Sequence, residues 1–200
     1  MKFPYLLIIV FASTHLNSQI PSRREKCWAF THPFAAWRIK KMSGPCAEIY
    51  NDHVKACRPD CYTSGGQLDA FRHMFYMAAF ATRINPRKLR RLGELHEKSN
   101  FRQFTKSQYE EGEQPDSLAS VMDLRNNEAG FIIGHLNRKK ELNGIARIVT
   151  AEIEKGGGWM MRRNSNGDYL DCNGNIIDTR LYRNRWYVPK CLQKTGSAVN

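Results

Sequence analysis

Three short stretches of the chain carry residue types at spacings that suit hydrolytic or metal chemistry. In Asp69-Ala70-Phe71-Arg72-His73, an acid and an imidazole stand four residues apart, which on a helix is one turn along the same face. The carboxylate then either orients the imidazole or shares a metal ion with it. Arg72 between them is a cation suited to clamping an anion. In Glu94-Leu95-His96-Glu97, one imidazole and two acids fall within a single turn, with His96 able to reach toward a helix that bears His73. Glu97 is the expected general base, since a carboxylate beside a metal or imidazole can poise a water. The zinc-protease pattern H-E-x-x-H is absent, because Asn100 stands where its second His would be. In Met122-Asp123-Leu124-Arg125-Asn126-Asn127-Glu128-Ala129-Gly130, Asp123 shares a face with Asn126 and Asn127. Paired asparagines are poor helix formers, so their place within an apolar periodic run points to hydrogen bonding or ligation. Each motif also has a plainer reading: a satisfied surface pair for Asp69 and His73, a Glu94–Lys98 surface ion pair, and an asparagine-capped helix end.

These motifs sit in a middle section that reads as helical throughout. Gly65-Gly66 close a loop, and Gln67 to Ile84 contains neither Gly nor Pro after them. Asn85-Pro86 breaks the run and starts a second helix, to about Arg102, interrupted only by Gly93. Asp116 or Ser117 caps a third helix, running to Ala129 or beyond. A fourth spans Leu142 to Lys155 and stops at Gly156-Gly157-Gly158. Gly130 and Gly134 permit close helix packing or close approach of a substrate. Three helices that each offer His or Asp next to an acid or amide build a polar site of the kind found inside helical bundles.

The flanking regions differ in character. Residues 20–64 are basic, cysteine-rich and punctuated by Pro33, Pro45 and Pro59, with helices expected over Phe34–Met42 and Ala47–Ala56. Residues 159–200 contain the turn clusters Asn164-Ser165-Asn166-Gly167 and Asn173-Gly174-Asn175, and read as a small hairpin or meander. The expected fold class is therefore mainly α. A helical-bundle core (65–158) follows a Cys-rich segment packed on it (20–64), and a disulfide-bonded β-rich tail (159–200) follows the core. The apolar run Pro4 to Ala12 is too short to cross a bilayer. Behind Lys2 and before the small polar stretch to Gln19, it reads as a signal peptide over residues 1–19. The expected location is secreted or periplasmic. There, six cysteines read as three disulfides. Cys172 and Cys191 pair locally, and Cys27, Cys46, Cys57 and Cys61 pair among themselves.

Charge narrows the partners. The formal net charge of this 200-residue chain is +12, yet the stretch from Glu94 to Glu128 carries eight acids and four bases, a local balance of −4 that leaves +16 for the rest. The run Glu110-Glu111-Gly112-Glu113-Gln114 reads as a solvated loop. An acidic island in a basic chain suits a bound cation, and the basic remainder suits an anionic polymer or lipid surface. Neither G-x-x-x-x-G-K-[ST] nor G-x-G-x-x-G is present, so no nucleotide cofactor is expected, and the lack of G-x-S-x-G argues against an ordinary esterase.

The combination Ala70-Phe71-Arg72-His73, then His96-Glu97, then Asp123, Asn126, Asn127 and Gly130 resembles a family of uncharacterised bacterial domains found in exported and toxin-like proteins. The resemblance covers about residues 32–150, including the basic segment Trp37-Arg38-Ile39-Lys40-Lys41. It implies a shared helical pocket. The residues themselves suggest a small exported hydrolase acting on an anionic substrate, such as the phosphodiester of a phospholipid or nucleic acid. Some of Asp69, His73, His96 and Asp123 would bind zinc or a similar divalent metal. Glu97, Arg72, His96 and Asp123 would be catalytic, with Asn126 and Asn127 in the pocket. Two other classes fit the same residues. One is a non-enzymatic module that binds an anionic polymer or partner protein. The other is a cell-wall glycan hydrolase that uses two carboxylates.

Overall fold

The computed structural model describes residues 22–106 and 115–196, apart from the side chain of Gln103. The proposed signal peptide and the run Glu110 to Gln114 lie outside the described residues. Six α-helices make up most of the described chain: α1 (Arg23–Thr31), α2 (Pro33–Lys55), α3 (Gln67–Ala81), α4 (Pro86–Thr105), α5 (Ser117–Leu136) and α6 (Leu142–Glu154). A tail follows with two short antiparallel strands, β1 (Trp159–Met161) and β2 (Leu192–Lys194), pairing Trp159 with Lys194 and Met161 with Leu192. The mainly helical class and the small C-terminal sheet agree with the sequence reading. No described helix is long and apolar enough to cross a membrane.

Helix α3 is the centre of the bundle. Leu68, Ala70, Phe71, Met74, Phe75, Ala78 and Ala79 are fully buried, so the helix is apolar on nearly every side and must be enclosed. Its N-terminus has no cap from Gly66. Instead Asp60 accepts hydrogen bonds from the amides of Gln67 (2.7 Å) and Leu68 (3.0 Å), which satisfies two of the donors every helix start leaves open. Asp60 lies inside the small loop closed by the Cys57–Cys61 disulfide.

Helices α3 and α5 run side by side in the same direction. His73 meets Asp123 and Asn127, Met74 meets Gly130, and Ala78 meets Gly134. Both glycines are required by the approach: a Cβ on Gly130 would stand 2.4 Å from the Met74 carbonyl oxygen, and one on Gly134 would stand 2.1 Å from that of Ala78. With no side chain between them, the two backbones touch.

Two expectations need correction. Helix α2 is continuous across Pro45, where two helices were expected. Gly44 before the proline has no Cβ for its ring to strike, and both residues face solvent, so water can take up the carbonyl that Pro45 leaves without its usual donor. Of the three expected disulfides two form, Cys57–Cys61 and Cys172–Cys191. Cys27 is exposed on α1, whereas Cys46 is sealed in the core, where burial pushes its thiol up to about 12. One sulfur faces water and the other the interior, so they do not bond.

Candidate functional site

The first two turns of α3 and the middle of α5 bring an imidazole between two carboxylates. His73 Nε2 lies 3.5 Å from Asp69 Oδ1 and 3.3 Å from Asp123 Oδ1. Its other nitrogen, Nδ1, lies 3.3 Å from the amide oxygen of Asn127. An oxygen of this kind only accepts, so it favours a proton on Nδ1; Nε2 then faces the carboxylates as a lone pair in the neutral ring and as a donor in the protonated one. Three electron-rich atoms facing one another demand positive charge. Arg72 supplies one, with its guanidinium 2.7 Å from Asp69 Oδ1 and 3.3 Å from His73 Nε2. Two carboxylates against one guanidinium leave a net negative charge in the cluster when His73 is neutral.

Asp69 is held as an anion by this surrounding. Burial works to raise its pKa, but the Arg72 charge, the His73 contact and the Gly65 amide outweigh it and hold the carboxyl down at about 2. The Gly65 amide donates to Asp69 Oδ2 at 2.7 Å, from a left-handed turn (φ +69°). There, a Cβ would come within 3.0 Å of Met161.

A narrow cleft of about 40 Å³ opens beside the cluster, lined in part by Asp69, Arg72, Asp123, Asn100, Ser120 and Tyr169. That space holds a cation with a few waters, or the reacting group of a larger molecule. Asn100 is 4 % exposed, and its Nδ2 donates to Glu97 Oε2 at 3.0 Å. Its buried amide oxygen has no hydrogen-bond partner among the described residues. A buried acceptor on a cleft wall suits a donor from a bound water or ligand.

The sequence-derived candidates divide into three groups. Asp69, Arg72, His73, Asp123 and Asn127 come together. Asn126 does not join them: its amide makes two bonds to the Trp159 backbone, at 2.9 and 2.8 Å, and so ties β1 to α5. His96 is not part of the group that could share an ion; its Nδ1 lies 3.1 Å from Glu25 Oε1, and this pair couples α1 to α4. The group of His, Asp, Glu and Cys side chains close enough to share an ion, among the described residues, is Asp69, His73 and Asp123, with ligand atoms all within 4.8 Å. Glu97 is buried and bonded to Asn100. The expected Glu94–Lys98 pair is replaced by Glu94 with Arg91 at 3.0 Å.

Sequence reasoning missed the residues that the tail brings. Tyr169 and Lys190 line the cleft with Asp116, and Lys190 Nζ is 2.8 Å from Asp116 Oδ2, both nearly inaccessible to solvent. Tyr169 is stacked between two cations, Arg163 (3.7 Å) and Lys190 (3.9 Å). Nothing local marks a lysine 74 residues away as the partner of a helix-capping aspartate. The spacing of aromatic and basic residues in the tail was the one available signal.

The chain matches the family described as Domain of unknown function (DUF6973) over residues 26–157. It belongs to that family. The match ends after α6, so the helices that carry the Asp-His-Asp cluster lie within it, and the tail residues Met161, Tyr169 and Lys190 lie beyond it. Neither a curated protein nor a solved structure matches the chain.

Proposed function

We propose that this family member is an exported hydrolase that cleaves an anionic substrate, a phosphodiester by preference, with the help of one divalent ion held by Asp69, His73 and Asp123. The observation that carries this reading is the spacing of the three ligand atoms. Around a tetrahedral zinc with bonds of about 2.0–2.1 Å, neighbouring ligand atoms stand roughly 3.3–3.4 Å apart. His73 Nε2 comes near that spacing with Asp123 (3.3 Å) and Asp69 (3.5 Å); the three ligand atoms together lie within 4.8 Å, so the widest pair would draw closer around an ion. The Asn127 contact to Nδ1 is the outer-sphere bond that orients a ligating imidazole. Such an ion would supply an activated water and charge for the developing oxyanion. His96, paired with Glu25, is left out of the ligand set, which narrows the four expected ligands to three.

The chain's own groups then have distinct roles. Arg72 keeps about a quarter of its side chain exposed, the most of the cluster, and is placed to hold a substrate oxygen. Asn100 offers its amide oxygen to the water or to a substrate hydroxyl. Glu97 positions Asn100 through their hydrogen bond. A cleft at the cluster favours the enzyme over an inert polar network, which has no use for an opening.

A second reading rests on Arg72 itself. Its guanidinium already lies between Asp69 and His73, so the cluster can be neutralised from within and serve a binding module. Elemental analysis of the oxidised protein, beside His73→Ala and Asp123→Asn, separates the two. About one ion per chain, lost in both variants, together with chelator-sensitive cleavage of bis(p-nitrophenyl) phosphate, supports the hydrolase. Wild type without metal and without turnover refutes it and leaves the binding module.

A further inference from the structure

A second surface lies at the other end of the bundle. Helix α3 carries His73 near its middle, and Arg83 lies just past its end, ten residues and about 15 Å further on. There the α3–α4 turn, the α5–α6 turn and the exposed face of α2 enclose an open groove of about 700 Å³. Its lining includes Trp37, Arg38, Lys41, Arg83 and Lys140, against a single acid, Glu141. None of the four cations pairs with a carboxylate among the described residues. Arg38 donates to the Arg83 carbonyl oxygen, and Lys41 lies over the Trp37 ring at 4.3 Å.

Apolar groups stand exposed next to this charge. Trp37 is 52 % exposed, and Phe34, one turn before it on the same face of α2, is 82 % exposed. A buried scaffold gives such residues nothing to pack on. A face that joins cations without carboxylate partners to protruding aromatic rings fits an anionic lipid leaflet, where basic groups meet headgroup phosphates and Trp and Phe enter the interfacial layer. The groove is of the size that takes a headgroup. A nucleic acid would use the same cations. The upright Phe34 beside Trp37 has its best partner in acyl chains.

We propose that this groove and the α2 face seat the phosphate of an anionic phospholipid and dock the protein on a bilayer surface. The docking stands independently of the chemistry at Asp69, His73 and Asp123. The test is sedimentation of the full chain with phosphatidylcholine vesicles, with and without about one-third phosphatidylglycerol. Binding is expected only to the anionic vesicles and weakens steeply with salt. Each basic residue at such a surface contributes roughly fivefold in affinity. Arg38→Gln/Lys41→Gln/Lys140→Gln is therefore expected to lose about a hundredfold, and Lys41→Gln/Lys140→Gln about twenty-five-fold should the triple variant melt early. Phe34→Ser is expected to lower binding with the charge intact. The proposal is overturned by absence of anionic-vesicle binding, by unchanged binding of a folded double or triple variant, or by Phe34→Ser without effect. Tighter binding of duplex DNA that the charge variants abolish would reassign the groove to nucleic acid and equally overturn it.

Discussion

Replacing Gly134 by Ala tests whether the α3–α5 contact sets the site. Helix propensity alone predicts a gain of up to about 1 kcal/mol, because Gly is the costlier residue within a helix. The structure predicts the opposite sign. A Cβ at this position would lie 2.1 Å from the Ala78 carbonyl oxygen, where ordinary contact begins at 3.4 Å, so the helices must part by about 1.3 Å. The obstacle is backbone and cannot rotate away. Overpacking of this kind costs about 1–3 kcal/mol. We take the upper end, which leaves a net loss of about 2 kcal/mol after the propensity gain. A domain of this length shifts by about 2–4 °C per kcal/mol, so the midpoint is expected to fall by about 4–8 °C in a thermal melt followed by circular dichroism. Gly144→Ala on α6 is the matched control. Its nearest neighbour would be Lys140 Cβ at 3.7 Å, so that variant is expected to melt at the same temperature or slightly higher. Because α3 and α5 also carry His73 and Asp123, parting them opens the cluster as well. A Gly134→Ala protein that melts above wild type would refute the close approach, and with it the positioning of the site.

Two further outcomes follow from the buried ion pairs. Lys190→Met leaves Asp116 charged, 2 % exposed and without its ammonium partner, and is expected to cost about 3 kcal/mol in urea unfolding. Asp116→Asn/Lys190→Met is expected to regain most of that, and a single-variant cost under about 1 kcal/mol would show that the pair does not anchor the tail. Glu25 sits below its ordinary value of 4.5: burial pushes it up, but the His96 contact and the Ser22 hydroxyl and amide pull it down further. Its contribution is therefore present above about pH 4.5 and fades as pH falls through the folded-state value. Glu25→Gln, which retains the capping-box hydrogen bonds, should thus destabilise at pH 6 and converge on wild type as pH falls below the folded-state value; a pH-independent gap would exclude the charge as the cause.

The sequence was readable where structure is local. Asp116 caps α5 through the amides of Leu118 and Ala119, as its place before an apolar run required. The i,i+4 spacing put Asp69 and His73 on one face, and the Asp123–Asn127 spacing put its partners on another. What joined them was the glycine pair at 130 and 134, legible as a permissive feature but silent about which helix would fill it. Asn126 and Asn127 are adjacent and chemically identical, and only the fold separates them: one grips the Trp159 backbone and the other touches His73. His96 could not be placed from spacing, because its partner Glu25 is 71 residues away. The remote cap at Asp60 was hidden for the same reason, since it depends on the Cys57–Cys61 loop folding back over the start of α3.

The division between family core and tail bears on what the cleft selects. The three proposed ligands and Arg72 all lie inside the matched region, so the proposed chemistry would belong to the helices. Met161, Tyr169 and Lys190 close the cleft from outside it, held by the Asn126–Trp159 bonds, the Arg162–Cys191 and Met161–Gly65 backbone bonds and the Cys172–Cys191 disulfide. A wall fastened at so many points is rigid, and a cleft of about 40 Å³ admits little beyond a reacting group. Under the proposed hydrolase reading, the tail would be the discriminating element, and changes to Tyr169 would be expected to alter which substrates enter before they alter the reaction. The groove adds a second constraint. In a molecule docked through the groove, His73 would lie about 15 Å along α3 from the groove residue Arg83. Under the two proposals together, the basic groove would be the anchor and the acidic cluster the working end of the molecule.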